Sequence, residues 1–198
     1  MQKINKEEIS NIALELFSSK GYNNVTINDI CDACEITKPT FYKYAGSKDE
    51  LILDLYDRTI HDITTDTYRF LQADSHYEQL VIIFCSLMKD TMKFGPDLFS
   101  QMMISNLNEN HHSFDMRGNL TQLAVMMINK AQQAHEINNM NDPHVLYSSL
   151  AYTFSGYEFV WCMNNGHTNY ADDFFTSMNA ILDVKEELRD IYKKYMEE

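Results

Sequence analysis

Two helix-start signals lie eleven residues apart near the N-terminus, and that spacing leaves room only for very short helices. Thr26 reads as an N-cap with Asp29 three residues on, close to a capping box. Thr37 is the second, and Pro39 falls in the first turn after it, where a missing N–H costs nothing. The pattern predicts helices over about Ile27–Cys34 and Lys38–Tyr44, joined by a turn through Glu35 and Ile36. Ile27, Ile30 and Ala33 are the inward residues of the first; Phe41 and Ala45 point back toward Ile30 and Phe17. A longer helix over about Lys6–Lys20 precedes them. It carries the stripe Ile9, Ile12, Ala13, Leu16 and Phe17, with Gly21 placed for a left-handed C-terminal cap.

The pattern stays helical to the end. Ser47 and Glu50 make a capping box for a long helix bearing Leu51, Leu55, Ile60 and Ile63. Further helices are expected over about Tyr77–Phe94, stopping at Gly95-Pro96, then Asp97–Leu107 and Met116–Ala134. Asp142-Pro143 opens one that runs to about Asn164, and the last spans about Tyr170–Met196. With only 6 Gly and 3 Pro, set between these stretches, the expected fold is all-α with about nine helices. An N-terminal three-helix helix-turn-helix domain, residues 1–47, precedes a larger helical bundle, residues 48–198.

The formal net charge of −13 argues at first against a nucleic-acid partner, but it is unevenly spread. Residues 1–50 hold six Lys and eight Asp/Glu, −2, leaving −11 for the rest. Net charge governs non-specific association more than a local face. No apolar run is long enough to span a membrane and no signal-peptide core is visible. The four Cys have no disulfide-framework spacing, so a cytoplasmic setting is expected. No nucleophile–base–oxyanion set and no phosphate-binding Gly loop is present, so neither catalysis nor a cofactor is expected.

The second helix of a helix-turn-helix must be short enough to enter a major groove, with polar groups outward. Lys38, Thr40, Lys43 and Tyr44 fit that outward face, and Lys48 can reach phosphate at the next helix's N-terminus. From Ile9 to Leu51 the chain resembles the DNA-binding domain of the TetR family of bacterial transcriptional regulators. Ala13, Leu16, Phe17, Gly21, Tyr22, Thr26, Ile30, Ala33, Ile36, Lys38, Thr40, Tyr42, Ser47, Lys48 and Leu51 carry the resemblance without a gap. It implies that Thr40, Tyr42 and Lys48 contact the DNA backbone and that Lys38, Lys43 and Tyr44 lie at or near the groove. Thr26 and Thr37 complete the candidate DNA-binding set. Three residues depart from the family's pattern: Glu35 where Gly is usual, Pro39 in the recognition helix, and Ala45 where Phe is usual. Residues 1–50 also lack Arg, so base readout rests on Lys, Thr, Tyr and DNA shape.

The eighth helix is apolar almost all round, through Tyr152, Phe154, Tyr157, Phe159, Val160, Trp161 and Met163, so every side needs a cover. A homodimer supplies it, with Phe154, Trp161, Phe175, Met178 and Leu182 of the last two helices as candidate interface residues. The resemblance agrees, and implies a palindromic DNA operator and a small-molecule effector. Met and aromatic residues between the fourth and eighth helices are the candidate effector contacts: Tyr56, Phe84, Met88, Phe99, Met102, Met103, Met127 and Tyr157. The expected function is repression released by an apolar or aromatic effector. The alternatives are a DNA-binding regulator governed by a protein partner and lacking an effector pocket, and an apolar-ligand-binding protein without DNA affinity. Cys31 and Cys34, a C-x-x-C, read as packing residues, since no second Cys pair or His completes a zinc site, and His111-His112 reads as solvated loop; no metal is expected.

Overall fold

A computed structural model describes residues 4–113 and 118–197. Its helices are α1 (Lys6–Lys20), α2 (Ile27–Ala33), α3 (Lys38–Phe41), α4 (Lys48–Thr65), α5 (Thr67–Leu71), α6 (His76–Asn108), α7 (Asn119–Gln133), α8 (Pro143–Met163), α9 (Ala171–Leu182) and α10 (Tyr192–Met196). The chain is all-α, as its periodicity requires; the described residues form a single isolated β-bridge, Ile137 to Val184. Met116, the expected start of the seventh helix, lies outside the described residues. Among the described residues no helix is long and apolar enough to cross a membrane.

Side-chain caps explain several helix starts. Asn5 and Glu8 close a full capping box on α1, and Thr26 and Asp29 close another on α2. Gly21 ends α1 at φ +79°, but with ψ 143° it is extended rather than left-handed helical, a conformation still open mainly to glycine. Gly95 does the same inside α6 (φ +78°, ψ 162°), breaking the helix just before Pro96 where the sequence predicted a stop.

Two compact units divide the chain. One comprises Met1–Thr59 with Lys93–Ser113, the other Ile60–Met92 with Phe114–Glu198. The expected division at residue 47 therefore differs from the packing division, because α4 and α6 each run through both units. In the first unit Ile9, Ala13, Phe17, Ile30, Phe41 and Leu51 are at most 2% exposed. Ala33, expected inside, is exposed. Cys31 and Cys34 continue the Ile27–Ile30 stripe by three- and four-residue steps, and Ala33 lies off it.

In the second unit α8 packs against α7 and α9. The rings of Phe84, Phe154 and Phe174 meet at 4.9–5.4 Å between centroids, at tilted or edge-on angles. The last helix is not continuous. Asp183 ends α9 in the left-handed region (φ +50°), and the chain turns to pair with residues 136–139. There the amides of Asn138 and Lys185 donate to the carbonyls of Asp183 and Glu136 at 2.9 and 3.1 Å. The tertiary partners replace the helical ladder, and neither Gly nor Pro marks the break in the sequence.

Candidate functional site

The turn between α2 and α3 has the geometry the motif needs. The Ile36 amide donates to the Cys31 carbonyl (2.9 Å) and the Glu35 amide to that of Asp32 (3.3 Å), a Schellman closure. Such a closure puts its middle residue at positive φ, and Glu35 stands there at +53°. Glu35→Gly is therefore expected to stabilise the chain by about 1 kcal/mol. Urea titration of both forms checks it; equal midpoints would mean the turn is unstrained.

Phe41, fully buried, anchors α3. Lys38, Tyr42 and Lys43 stand outward with Thr37 and Pro39; Tyr42 is 53% exposed and packs edge-on to Phe41 at 5.5 Å. The α-helix itself stops at Phe41, and tighter turns carry the chain through Tyr44. Thr40 is half-buried, its hydroxyl 3.0 Å from that of Thr37.

Three further residues of the expected DNA-facing set are engaged within the chain. The Thr26 hydroxyl serves the α2 capping box, 2.5 Å from the Asp29 carboxylate. The Tyr44 hydroxyl donates to the Ile4 carbonyl at 2.9 Å. The Lys48 ammonium donates to the carbonyls of Tyr22 (2.9 Å) and Val25 (3.0 Å) and sits 3.9 Å from the centre of the Tyr22 ring. The Tyr22 hydroxyl in turn donates to the Asp49 carboxylate, and its amide to that of Asp97 at 3.0 Å. Lys48 is thus a clamp on the turn before α2.

Cys31 and Cys34 are free thiols, both buried. Burial, then the neighbouring Cys31, pushes the Cys34 thiol up to about 11, far from a reactive thiolate. Among the described residues no group of three or more His, Cys, Asp or Glu could hold a metal ion.

The candidate effector residues fall in different units. Phe84, Met88 and Met127 are core residues of the second unit, and the Tyr157 hydroxyl there lies 2.9 Å from that of Ser177. Tyr56, Phe99, Met102 and Met103 belong to the first. Polar groups that the sequence reading passed over also lie in the second unit. Glu158 is 4% exposed and accepts a 2.6 Å hydrogen bond from the Thr91 hydroxyl. Burial raises its pKa to about 8, only partly offset by that bond, so the carboxyl is largely neutral at pH 7. Phe154 and Trp161 share its face of α8, and both rings lie within 6.3 Å of the Tyr170 ring. The Tyr170 hydroxyl is buried with no hydrogen-bond partner among the described residues. A signal was present: Glu158 is the single acidic residue between Pro143 and Met163.

The expected dimer residues need correction. Phe154 and Trp161 are 5% exposed and Phe175, Met178 and Leu182 0% within one subunit, so none offers a surface to a second. The apolar stripe of α9 faces its own subunit, and its outer positions are Asp172, Asp173, Thr176 and Ala180. What α8 leaves open is a different stripe, Val145, Ser149, Tyr152, Gly156, Phe159 and Met163, spaced by fours and threes. Val145, Tyr152, Phe159 and Met163 are 54–67% exposed, and a Cβ on Gly156 would meet nothing within 4 Å.

An all-helical chain in which short α2 and α3 are joined by a tight turn, with α3 exposed on one side, has the helix-turn-helix arrangement. Residues 9–55 match the family described as bacterial regulatory proteins, tetR family. An uncharacterized HTH-type transcriptional regulator of Bacillus subtilis (strain 168), YuxN, is 39% identical over 82 residues, 39% of this chain. The matched region spans only 28% of that relative's length. Among solved structures, Thermus thermophilus FadR, a TetR-family transcriptional repressor in complex with lauroyl-CoA, superposes with a TM-score of 0.70 at 20% identity, over 92% of this chain and 97% of that one. The fatty acid degradation regulator FadR of Bacillus halodurans gives 0.69 at 12% identity, over 92% and 96%. At these identities the likeness is one of fold.

Proposed function

We propose that this chain is a DNA-binding transcriptional regulator, acting as a homodimer on a palindromic operator and repressing until a small apolar or aromatic effector binds. The observation that carries this reading is the outward face of α3, where Lys38, Tyr42 and Lys43 stand exposed on a helix anchored by Phe41 within a matched tetR-family segment. The open stripe on α8 supports a dimer, because a row of exposed apolar side chains about 27 Å long is a natural two-fold contact. Such a dimer supplies two recognition helices for two half-sites. The acyl-CoA bound by the Thermus neighbour supports an effector with an apolar body. Effector binding would act by favouring the dimer state whose recognition helices do not fit adjacent grooves.

Fluorescence anisotropy on the chain's own upstream DNA tests the proposal. Binding should weaken steeply with salt, and Lys38→Ala with Lys43→Ala should lower affinity about tenfold or more and flatten the salt slope by about two. Salt-insensitive binding, or affinity unchanged in the double variant, would remove DNA recognition by α3 from the proposal.

A further inference from the structure

The second unit contains a groove between α5, the first half of α6, and α10, with a volume of about 430 Å³. None of its lining belongs to the expected effector set. Arg69, Lys89 and Lys194 line it with Tyr68, Tyr195 and Ile82. Three of the ten cations after residue 50 thus converge on one groove, in a segment of net charge −11.

Its walls are held in place. Glu78, 1% exposed, accepts hydrogen bonds from Lys194 Nζ (3.1 Å) and the Tyr195 hydroxyl (2.6 Å), fixing two lining side chains of α10 to α6. Arg69 pairs with Asp66 at 3.2 Å and reaches the Ser86 hydroxyl at 3.4 Å, tying α5 to α6. Lys89 of α6 lines the groove between these two fixed walls. A second lobe of about 260 Å³ shares Arg69 and Lys89 but is lined by Asp62, Asp66 and Asp90.

We infer that this groove binds a small organic anion, a phosphate or carboxylate on a flat apolar body. The head group meets Lys89 and the outer donors of Arg69 and Lys194, while the body lies against Tyr68, Tyr195 and Ile82. A volume of this size lies within the usual range of about 300–1,000 Å³ for ligand pockets. The neighbouring carboxylates repel a second negative charge, which favours one compact head group over a polyanion such as nucleic acid. The site is separate from α3 and does not depend on DNA binding.

Isothermal titration of the full chain with 1-naphthyl phosphate and 1-naphthoate, and with 1-naphthol as the neutral control, tests it. At least one anion should bind saturably, more weakly at high salt, and the tighter of the two identifies the head group. Lys89→Met and Arg69→Gln should each weaken it about tenfold, while Lys130→Met on α7 leaves it unchanged. No saturable anion binding up to about 1 mM would overturn the inference, as would equal binding of 1-naphthol or a Lys130→Met loss as large as that of Lys89→Met.

Discussion

Glu158→Gln is expected to raise the stability of the chain at pH 7 and to flatten its pH dependence. The carboxyl is buried beside Phe154, Trp161 and Tyr170, with the Thr91 hydroxyl as its described hydrogen-bond partner. Burial raises its folded pKa to about 8 from the ordinary 4.5. Between those values the folded chain keeps a proton that the unfolded chain releases, so stability falls as pH rises. The slope is about 1.4 kcal/mol per pH unit, reaching about 3 kcal/mol at pH 7, and it levels off above pH 8. Glutamine presents the same acceptor to Thr91 and has no proton to lose. The variant should therefore melt on the order of 5–10 °C higher at pH 7 but only slightly higher at pH 5. Denaturant titrations at pH 5, 6, 7 and 8 check this; a gap that does not widen with pH would mean Glu158 has an ordinary pKa.

Tyr152→Asp combined with Phe159→Asp is expected to convert the proposed dimer into folded monomers. Both side chains are more than half exposed in the subunit, so the double variant should keep its own fold. Across a two-fold contact each substitution occurs twice, placing four carboxylates in a dry interface, which should raise the dimer dissociation constant about 100-fold or more. Light scattering at micromolar concentration reads the change. Operator affinity should fall with it, because a monomer cannot hold both half-sites. Phe154→Ala and Phe175→Ala are the contrast: each should destabilise the subunit by about 3–5 kcal/mol through loss of core packing. A double variant that stays dimeric, or a Phe154→Ala chain that is monomeric and undiminished in stability, would return the interface to the buried face.

Much of the fold was legible because local chemistry decides it. Thr26 with Asp29, Pro39 in the first turn of α3, and Gly95-Pro96 each act within a turn of chain, so their consequences appear where the sequence puts them, although the Thr37 side chain makes no cap hydrogen bond. Glu35 was legible as well: a turn that requires positive φ still requires it when the residue is not glycine. The end of α9 was not, since Asp183 takes the left-handed conformation beside residues 136–139, a contact that no nearby residue announces.

The candidate sites divide along the same line. By itself the sequence determined that the chain is helical, that a helix-turn-helix unit occupies its first fifty residues, and that α8 is apolar almost all round. Period and capping are properties of adjacent residues, and a chain carries them however it packs. Only the tertiary structure decided which apolar face of α8 is core and which is open, because both faces read alike as hydrophobic. It also decided that Lys48 is held by Tyr22 and Val25 while Lys38 and Lys43 stand free in solvent, and that Arg69, Lys89 and Lys194 share one groove. A side chain's periodicity fixes the direction in which it leaves its helix. What it meets there depends on residues far away in the sequence, and burial and charge pairing follow from that meeting.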